Sequence, residues 1–353
     1  MTNSLKPRYL DDVSVIRVIL IILLVLYHSF AIFNGAWDAP DGYCQIPAYW
    51  WIASASYSFM LEMFVFISGY LFGYQVRTKG ETIISFKNTI LKKAKRLLLP
   101  CFFFGIIYYL IFYDLKAPVF DIVYTIVNGA GHLWFLPMLF WCFVAIFVIE
   151  KLKIKPFIVF PLLVVCSLIS FLPLPFRMTS AMYYLLFFYT GYILKKKDID
   201  LSRFFEGKYA VFSIFAYIIL FVSFTLIREQ IANSAWGGED SGLLYKVLKM
   251  SAQKASVLIY SWSGVIMTYI TVNWLLIKNK IKISQSLMKV SALCFGVYIY
   301  QQFILKLLYY DFGFMESVSP YILPWMGFVV AIILSVSFSY FTVKTKFGRF
   351  LIG

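Results

Sequence analysis

Two ionisable residues, Arg17 and His28, lie within the first apolar stretch of the sequence, eleven residues apart. On an α-helix this spacing turns through about 1100°, so both side chains project from one face, roughly 16 Å apart along the axis. A guanidinium suits phosphate or carboxylate groups, and an imidazole can accept and return a proton near neutral pH. The pair could therefore bind an anionic group and move a proton. Alternatively, Arg17 reaches toward lipid headgroups and His28 is a hydrogen-bonded core residue.

The composition indicates that this pair lies inside a membrane. The chain is 61% hydrophobic, 20% aromatic and 14% charged, and its mean hydropathy is +0.80. This is too apolar for a soluble globule. An isolated charge inside a bilayer costs several kcal/mol, so ionisable residues there usually face the bundle interior and serve a function.

We predict an all-α, polytopic integral membrane bundle of about ten transmembrane helices, forming a single domain over residues 1–353. The predicted spans are 13–34, 48–76, 97–114, 132–150, 155–173, 178–195, 208–228, 252–277, 290–310 and 321–343. Segment 117–131 is too short and polar to cross, and we expect it to be interfacial or re-entrant.

The basic residues predict the orientation of the chain. With the N-terminus inside, segments that face the cytoplasm hold 24 of the 32 Lys and Arg residues, including Lys6 and Arg8. This bias predicts that both termini are cytoplasmic. This bias also accounts for most of the net charge of +15, and contacts of basic residues with membrane lipids would account for more of it. Nucleic-acid binding explains the charge poorly.

This orientation assigns a depth to each residue of the pair. Arg17 lies near the cytoplasmic end of its span and His28 in the outer half. The arrangement suggests an anionic cytosolic donor whose reactive end meets an outward-facing acceptor at His28. The five cysteines lack metal-ligand spacing, so we expect no metal site.

Several segments resemble one known family when they are taken in order. They are the Arg-x10-His of the first span, then MFVFISGYLF, KRLLLP, GHLWFLPMLFW and SALCFGVYIYQQF. They resemble the acyltransferase-3 family of integral membrane acyltransferases over nearly the whole chain. The closest type is the short surface-polysaccharide O-acyltransferase that lacks an appended extracytoplasmic domain.

The resemblance implies an enzyme of the bacterial inner membrane. Such enzymes move an acyl group, commonly acetyl, from cytosolic acyl-coenzyme A to a hydroxyl of an exported, surface or lipid-linked glycan. Acyl-coenzyme A is then a donor substrate rather than a permanently bound cofactor. A glycan or lipid transporter or flippase is the alternative, since ten spans and a polar stripe would also suit it.

The resemblance also implies roles for residues on the donor side. Arg17 would hold coenzyme A, and His28 would be catalytic, either as the base for the acceptor hydroxyl or through a transient acyl-His28. Lys95 and Arg96 would attract the phosphates of coenzyme A, although a lipid-facing basic collar is the alternative. Ser68 could line the donor tunnel, or simply serve close helix packing.

Glu62 lies in the middle of the second span, where a carboxylate needs a partner. We favour a hydrogen bond to His28 that fixes the tautomer, as the acid does in a catalytic triad. A structural ion pair with Arg17 is the alternative.

The remaining candidates would face the acceptor. His132 and Trp134 could line the acceptor mouth, with Trp134 as a sugar platform, or belong to an interfacial aromatic belt. The family often has a histidine after the segment equivalent to FGVYIY, where this chain has glutamines, so Gln301 is expected to contact substrate without acting as a base. We expect the loop from Arg228 to Lys254 to be a lid or a glycan-selecting element, or else a flexible connector.

Overall fold

The structure is a computed structural model, and it describes residues 10–80, 86–234 and 242–353. In it the apolar stretches of the sequence form helices. The helices are α1 Asp11–Ser29, α2 Pro47–Tyr57, α3 Met60–Lys79, α4 Phe86–Phe112, α5 Val119–Val127, α6 Phe135–Lys151, α7 Pro156–Leu168, α8 Met178–Lys196, α9 Gly207–Asn233, α10 Leu243–Ile277, α11 Gln285–Lys306, α12 Phe314–Ser317, α13 Leu323–Lys344 and α14 Lys346–Ile352. Lys6, Arg8 and residues 235–241 lie outside the described ranges. The loop predicted from Arg228 to Lys254 is wrong at both ends, because α9 continues to Asn233 and α10 begins at Leu243.

Eight helical stretches in the described part of the chain are long and apolar enough to cross a membrane. They are Asp11–Ser29, Pro47–Thr78, Asn88–Phe112, Gly131–Lys151, Gly207–Asn233, Leu243–Ile277, Gln285–Asp311 and Leu323–Lys344. The all-α polytopic membrane bundle is therefore confirmed. The predicted spans 155–173 and 178–195 also form helices, α7 and α8, but neither is among these eight.

The physical reasons differ for these two helices. Helix α7 has 13 residues, about 20 Å of helix against a hydrocarbon core of about 30 Å. Helix α8 is long enough, but it is rich in tyrosine and ends in Lys195 and Lys196. Helix α5, in the segment predicted not to cross, has only nine residues and no buried side chain and is not among the eight; an interfacial or re-entrant position for it stays a prediction.

A break at Ser58 and Phe59 divides the predicted span 48–76 into α2 and α3. The Ser58 hydroxyl donates to the Ala55 carbonyl at 2.9 Å, and the Tyr217 hydroxyl donates to the same oxygen at 3.2 Å. Both bonds satisfy a carbonyl that the helix leaves without its regular partner at the break. The helix stops here and restarts within one apolar stretch.

The chain forms two compact units. The first contains the described residues of Met1–Met60, Leu201–Tyr217 and Ser263–Gly353. Within it α11 packs against α1 and α13, α1 also packs against α2 and α13, and α14 packs against α13. The Tyr309 hydroxyl donates to the Ser29 carbonyl at 2.7 Å, joining the segment after α11 to the end of α1.

The second unit contains the described residues of Leu61–Asp200 and Ile218–Trp262. Helix α4 packs against α5 and α6, and α8 packs against α6 and α7. A salt bridge of 2.6 Å between Lys196 Nζ and Glu150 Oε2 connects α8 to α6, and the Tyr192 hydroxyl donates to Glu150 at 2.8 Å. The single domain expected over residues 1–353 stays a prediction.

Candidate active site

Helix α1 carries both members of the Arg17/His28 pair without interruption, so the predicted common face exists. Asp11 and Asp12 occupy its first turn, where the helix dipole stabilises negatively charged side chains. Arg17 is half-buried, and its carbonyl accepts a weak hydrogen bond from Cys294 Sγ of α11 at 3.7 Å. His28 lies in the last turn of α1 and is only 7% exposed.

His28 forms a hydrogen bond with Gln301 of α11. The distance between His28 Nδ1 and Gln301 Oε1 is 3.0 Å, and Gln301 is completely buried. Because an amide oxygen can only accept, Nδ1 carries the imidazole proton. The neutral ring then has its lone pair on Nε2, which is the form that a general base or a nucleophile needs.

The amide nitrogen of Gln301 offers hydrogen-bond donors next to His28. Gln301 Nε2 is buried and has no hydrogen-bond partner among the described residues. Leaving a buried donor unsatisfied costs about 1–3 kcal/mol. The amide therefore holds two N–H donors beside His28 that a bound carbonyl or hydroxyl oxygen could satisfy.

Two aromatic rings lie next to the imidazole, that of Trp37 in the loop after α1 and that of Tyr27 in α1. The Trp37 ring stacks on His28 with centroids 5.8 Å apart and an interplanar angle of 15°. The Tyr27 ring is 5.0 Å from His28 and stacks on Tyr57 at 4.2 Å. These rings reduce the access of water to His28, which strengthens electrostatic interactions there.

Glu62 belongs to the second unit and is 5% exposed. Its Oε1 accepts a hydrogen bond from the Ser261 hydroxyl at 3.3 Å, and the Tyr183 hydroxyl donates to Ser261 at 3.4 Å. The Lys254 ammonium attracts the carboxylate and lies 5.5 Å from the centre of the Tyr183 ring. A carboxylate inside the bundle thus has polar partners, as its depth requires.

These partners of Glu62 differ from the two that the sequence suggested. Ser261, Tyr183 and Lys254 all belong to the same unit as Glu62, whereas His28 and Arg17 belong to the other. The hydrogen bond to His28 and the ion pair with Arg17 therefore both stay predictions.

The basic residues near the start of α4 differ in the solvent exposure of their side chains. Lys95 and Arg96 are exposed, which suits either coenzyme A phosphates or lipid headgroups. Lys93, by contrast, is half-buried, and its ammonium lies 4.2 Å from the centre of the Phe143 ring and 5.4 Å from that of Phe72. Lys93 therefore interacts with the protein interior through cation–π contacts.

Ser68 is half-buried on α3, and its hydroxyl donates to the Phe64 carbonyl at 2.8 Å. The adjacent Gly69 approaches the backbone of α8 so closely that a Cβ there would collide with the Phe188 carbonyl oxygen. Close packing thus describes this segment, and a place for Ser68 in a donor tunnel stays a prediction.

His132 and Trp134 lie in the short helical turn Gly131–Trp134 that leads into α6. His132 is 5% exposed, and its ring is 5.8 Å from that of Tyr108. The Arg177 guanidinium lies 6.0 Å from the centre of the Trp134 ring and donates through Nε to the Asn128 carbonyl at 2.9 Å. The acceptor roles of His132 and Trp134 stay predictions.

The sequence pattern did not indicate two features of these sites, the tryptophan next to His28 and the hydroxyl partners of Glu62. Trp37 lies in a polar loop that shows no helical periodicity, and Ser261 and Tyr183 look like ordinary residues of apolar helices. A buried carboxylate at Glu62 signalled that polar partners must exist, but spacing along the chain cannot identify residues on distant helices.

Comparison with known proteins gave one match. A family model described as an acyltransferase domain, of the acyltransferase-3 type, matches residues 10–344. No curated protein and no solved structure matches the chain significantly.

Proposed function

The chain belongs to the acyltransferase-3 family, and from this premise we propose that it transfers an acyl group from acyl-coenzyme A to a glycan hydroxyl. Acetyl is the proposed acyl group, and the acceptor is an exported, surface or lipid-linked glycan. The reaction takes place in the bacterial inner membrane, with the donor on the cytosolic side.

One hydrogen bond gives the proposal its main support, that between His28 Nδ1 and Gln301 Oε1 at 3.0 Å. It leaves Nε2 as the basic nitrogen of the imidazole. Of the two histidines of the chain, His28 is therefore the one we assign as the base. Its burial suits a base that must not be bathed in water.

The proposed reaction is a direct transfer. His28 Nε2 takes the proton of the acceptor hydroxyl as the hydroxyl oxygen bonds to the thioester carbonyl carbon. The carbonyl oxygen becomes an oxyanion, and Gln301 Nε2 donates a hydrogen bond to it. The carbon–sulfur bond then breaks, and the leaving thiolate takes the proton from the His28 imidazolium. The products are the acylated glycan and coenzyme A, with His28 neutral again.

A transient acyl-His28 is the alternative route, because the same Nε2 lone pair can attack the thioester. Mass spectrometry of protein incubated with acetyl-coenzyme A and no acceptor separates the two routes. Direct transfer leaves the mass of the protein unchanged. An acetyl adduct on the peptide that contains His28 would establish the covalent route instead.

The other candidate residues take supporting roles in this proposal. Arg17 holds the donor, with Lys95 and Arg96 attracting its phosphates at the cytoplasmic mouth, because guanidinium and ammonium groups pair well with phosphate. Ser68 lines the path of the donor. Since Gln301 holds Nδ1 of His28 and Nε2 takes the acceptor proton, Glu62 acts on the imidazolium through its charge rather than through a hydrogen bond. His132 and Trp134 line the acceptor mouth.

The test uses purified protein in lipid nanodiscs with radiolabelled acetyl-coenzyme A and a pool of oligosaccharides. We expect free thiol to appear and the label to move to the oligosaccharides. Arg17→Ala should raise the KM for acetyl-coenzyme A at least about tenfold, since a charge-assisted contact is lost. Lys116→Ala, which removes an exposed cation on the predicted outer side, is the matched control.

Two results would contradict the proposal. One is the absence of acetyl-coenzyme A consumption by wild-type protein that is folded and monodisperse. The other is movement of a labelled glycan across sealed vesicles without any acyl transfer, which would favour the transporter.

A further inference from the structure

The loop that follows α1 brings an aromatic ring onto the proposed base. Gly35 and Gly42 border this loop with φ of +75° and +76°, a conformation that glycine adopts without strain. The backbone N–H groups of Ala36 and Trp37 donate to the Ala31 carbonyl at 3.1 and 3.2 Å. They hold the half-buried Trp37 ring parallel to His28.

A cation and a carboxylate accompany this ring. The Lys306 ammonium, at the end of α11, lies 5.7 Å from the centre of the Trp37 ring and 5.8 Å from that of Tyr310. The Tyr310 hydroxyl donates to the Asp38 carbonyl at 2.8 Å. The Asp38 side chain is exposed and attracts the Lys306 ammonium electrostatically.

We propose that Trp37, Asp38 and Lys306 form a subsite that holds an uncharged sugar ring of the acceptor next to His28. The inference rests on the proposed acyl transfer and deepens it, because it specifies the chemical class of the acceptor. All three residues belong to the same unit as His28 and Gln301.

The chemistry of the three side chains supports this assignment. An indole presents a broad apolar face and an N–H, which match the apolar face and the hydroxyls of a sugar. The ammonium can donate to the oxygen of one sugar hydroxyl, and the carboxylate can accept from the O–H of another, so together they use both hydrogen-bonding capacities of sugar hydroxyls. Charged groups make these hydrogen bonds stronger than neutral ones would.

The balance of charge explains why the ring should be uncharged. Lys306 and Asp38 carry one charge of each sign around the Trp37 ring. An acidic sugar would be attracted by Lys306 but repelled by Asp38, and an amino sugar the reverse, so neither sign of charge gains a net attraction. A neutral ring binds without the cost of desolvating a charge of its own.

The first experiment measures binding without any acyl donor. Wild-type protein in nanodiscs is mixed with three oligosaccharide pools of equal length, one neutral, one rich in uronates and one rich in free amines, and the retained species are weighed by mass spectrometry. We expect members of the neutral pool to be retained preferentially. Trp37→Ala should weaken their binding about tenfold or more, whereas Trp37→Phe should restore part of it, because an aromatic face remains.

The two charged residues give opposite changes of preference. Asp38→Asn should increase retention of the uronate pool relative to wild type, and Lys306→Met should increase retention of the amine pool, because each variant removes one repulsion. Trp325→Ala is the matched control. Trp325 is a partly exposed tryptophan of the same unit that packs against Phe30 and Tyr49, so its loss should leave the preference unchanged.

The outcomes separate this inference from the proposed function. Failure of wild type to retain any neutral oligosaccharide, or unchanged binding by Trp37→Ala, overturns the subsite. In acyl transfer, Trp37→Ala should raise the acceptor KM and leave the KM for acetyl-coenzyme A unchanged, which also shows that the variant is folded. Retention of neutral sugars through Trp37 without any acyl transfer would overturn the proposed function and leave the subsite standing.

Discussion

At the scale of single residues, the imidazole of His28 depends on an amide 273 positions away along the chain. Gln301 Oε1 accepts from Nδ1, and Gln301 Nε2 is buried with no hydrogen-bond partner in the described ranges. The sequence predicted both residues as site residues. It could not predict that they pair, because their distance depends on how α1 packs against α11.

Replacing Gln301 tests this pairing. Gln301→Leu removes the acceptor that holds the imidazole tautomer and the donors proposed for the oxyanion, so kcat should fall about 10²-fold or more, as when an oxyanion donor is lost. Gln301→Glu keeps an acceptor for Nδ1–H and should retain more activity than Gln301→Leu. Turnover in nanodiscs, with acetyl-coenzyme A saturating, gives both values.

Gln302 provides the matched control for that measurement. It is the neighbouring residue, has the same side chain and is also buried, at 5% exposure. Gln302→Leu therefore tests what the loss of a buried amide from this part of α11 costs while the hydrogen bond between Gln301 and His28 is kept. Equal losses of kcat in Gln301→Leu and Gln302→Leu would contradict a specific role for Gln301.

Glu62 gives a second residue-scale prediction. Glu62→Gln keeps the shape of the side chain and its acceptor for the Ser261 hydroxyl but removes the negative charge. If Glu62 stabilises the imidazolium, kcat should fall at least about tenfold while the amount of protein in the membrane stays normal. Wild-type turnover in this variant would remove Glu62 from the mechanism.

At the scale of elements, apolar length predicted most helices and could not predict where they break. Long apolar runs correspond to helices because the bilayer leaves backbone polar groups no other partners. At the interruption between α2 and α3, two hydroxyls, those of Ser58 and Tyr217, bond the Ala55 carbonyl. Tyr217 is distant in sequence, so the pattern around residue 58 contains no signal of it.

The approach of α3 to α8 gives an element-scale prediction. A Cβ on Gly69 would meet the backbone carbonyl of Phe188, which cannot move aside as a side-chain tip can. Gly69→Ala should therefore destabilise the protein by about 1–3 kcal/mol. Thermal unfolding in nanodiscs, followed by circular dichroism, should show a lowered midpoint.

Gly105→Ala on α4 is the control for this prediction. A Cβ there meets the Ile126 side chain at 3.6 Å, an ordinary contact. Because alanine favours the helix over glycine by up to about 1 kcal/mol, this variant should be neutral or slightly more stable. If Gly69→Ala unfolded at the same temperature as Gly105→Ala, close packing of α3 on α8 would be contradicted.

At the scale of the whole molecule, the composition and the family match agree on a multi-pass membrane acyltransferase. The orientation stays a prediction from the distribution of basic residues, according to which the loop after α1 lies on the outer side. Trp37 and His28 would then face the compartment of the acceptor. The sequence predicted this class of protein well because it depends on sums over many residues, whereas each site depends on a few long-range contacts.

Cysteine labelling tests the orientation. Cys44 is exposed, Cys101, Cys142 and Cys294 are buried, and Cys166 is half-buried. A membrane-impermeant maleimide should label wild-type protein in intact cells and should not label Cys44→Ser. In the Cys44→Ser background, Lys151→Cys at the end of α6 should react only after permeabilisation. Labelling of Lys151→Cys in intact cells would reverse the predicted orientation.

The most direct test of the central claim is single-turnover transfer of radiolabelled acetyl from acetyl-coenzyme A by wild type and His28→Ala, measured side by side in nanodiscs. Without its base, the variant should transfer acetyl at least about 10²-fold more slowly, while its affinity for coenzyme A stays within about twofold of wild type, since Arg17 is intact. A His28→Ala variant that transfers acetyl at the wild-type rate would contradict the assignment of His28 as the catalytic residue.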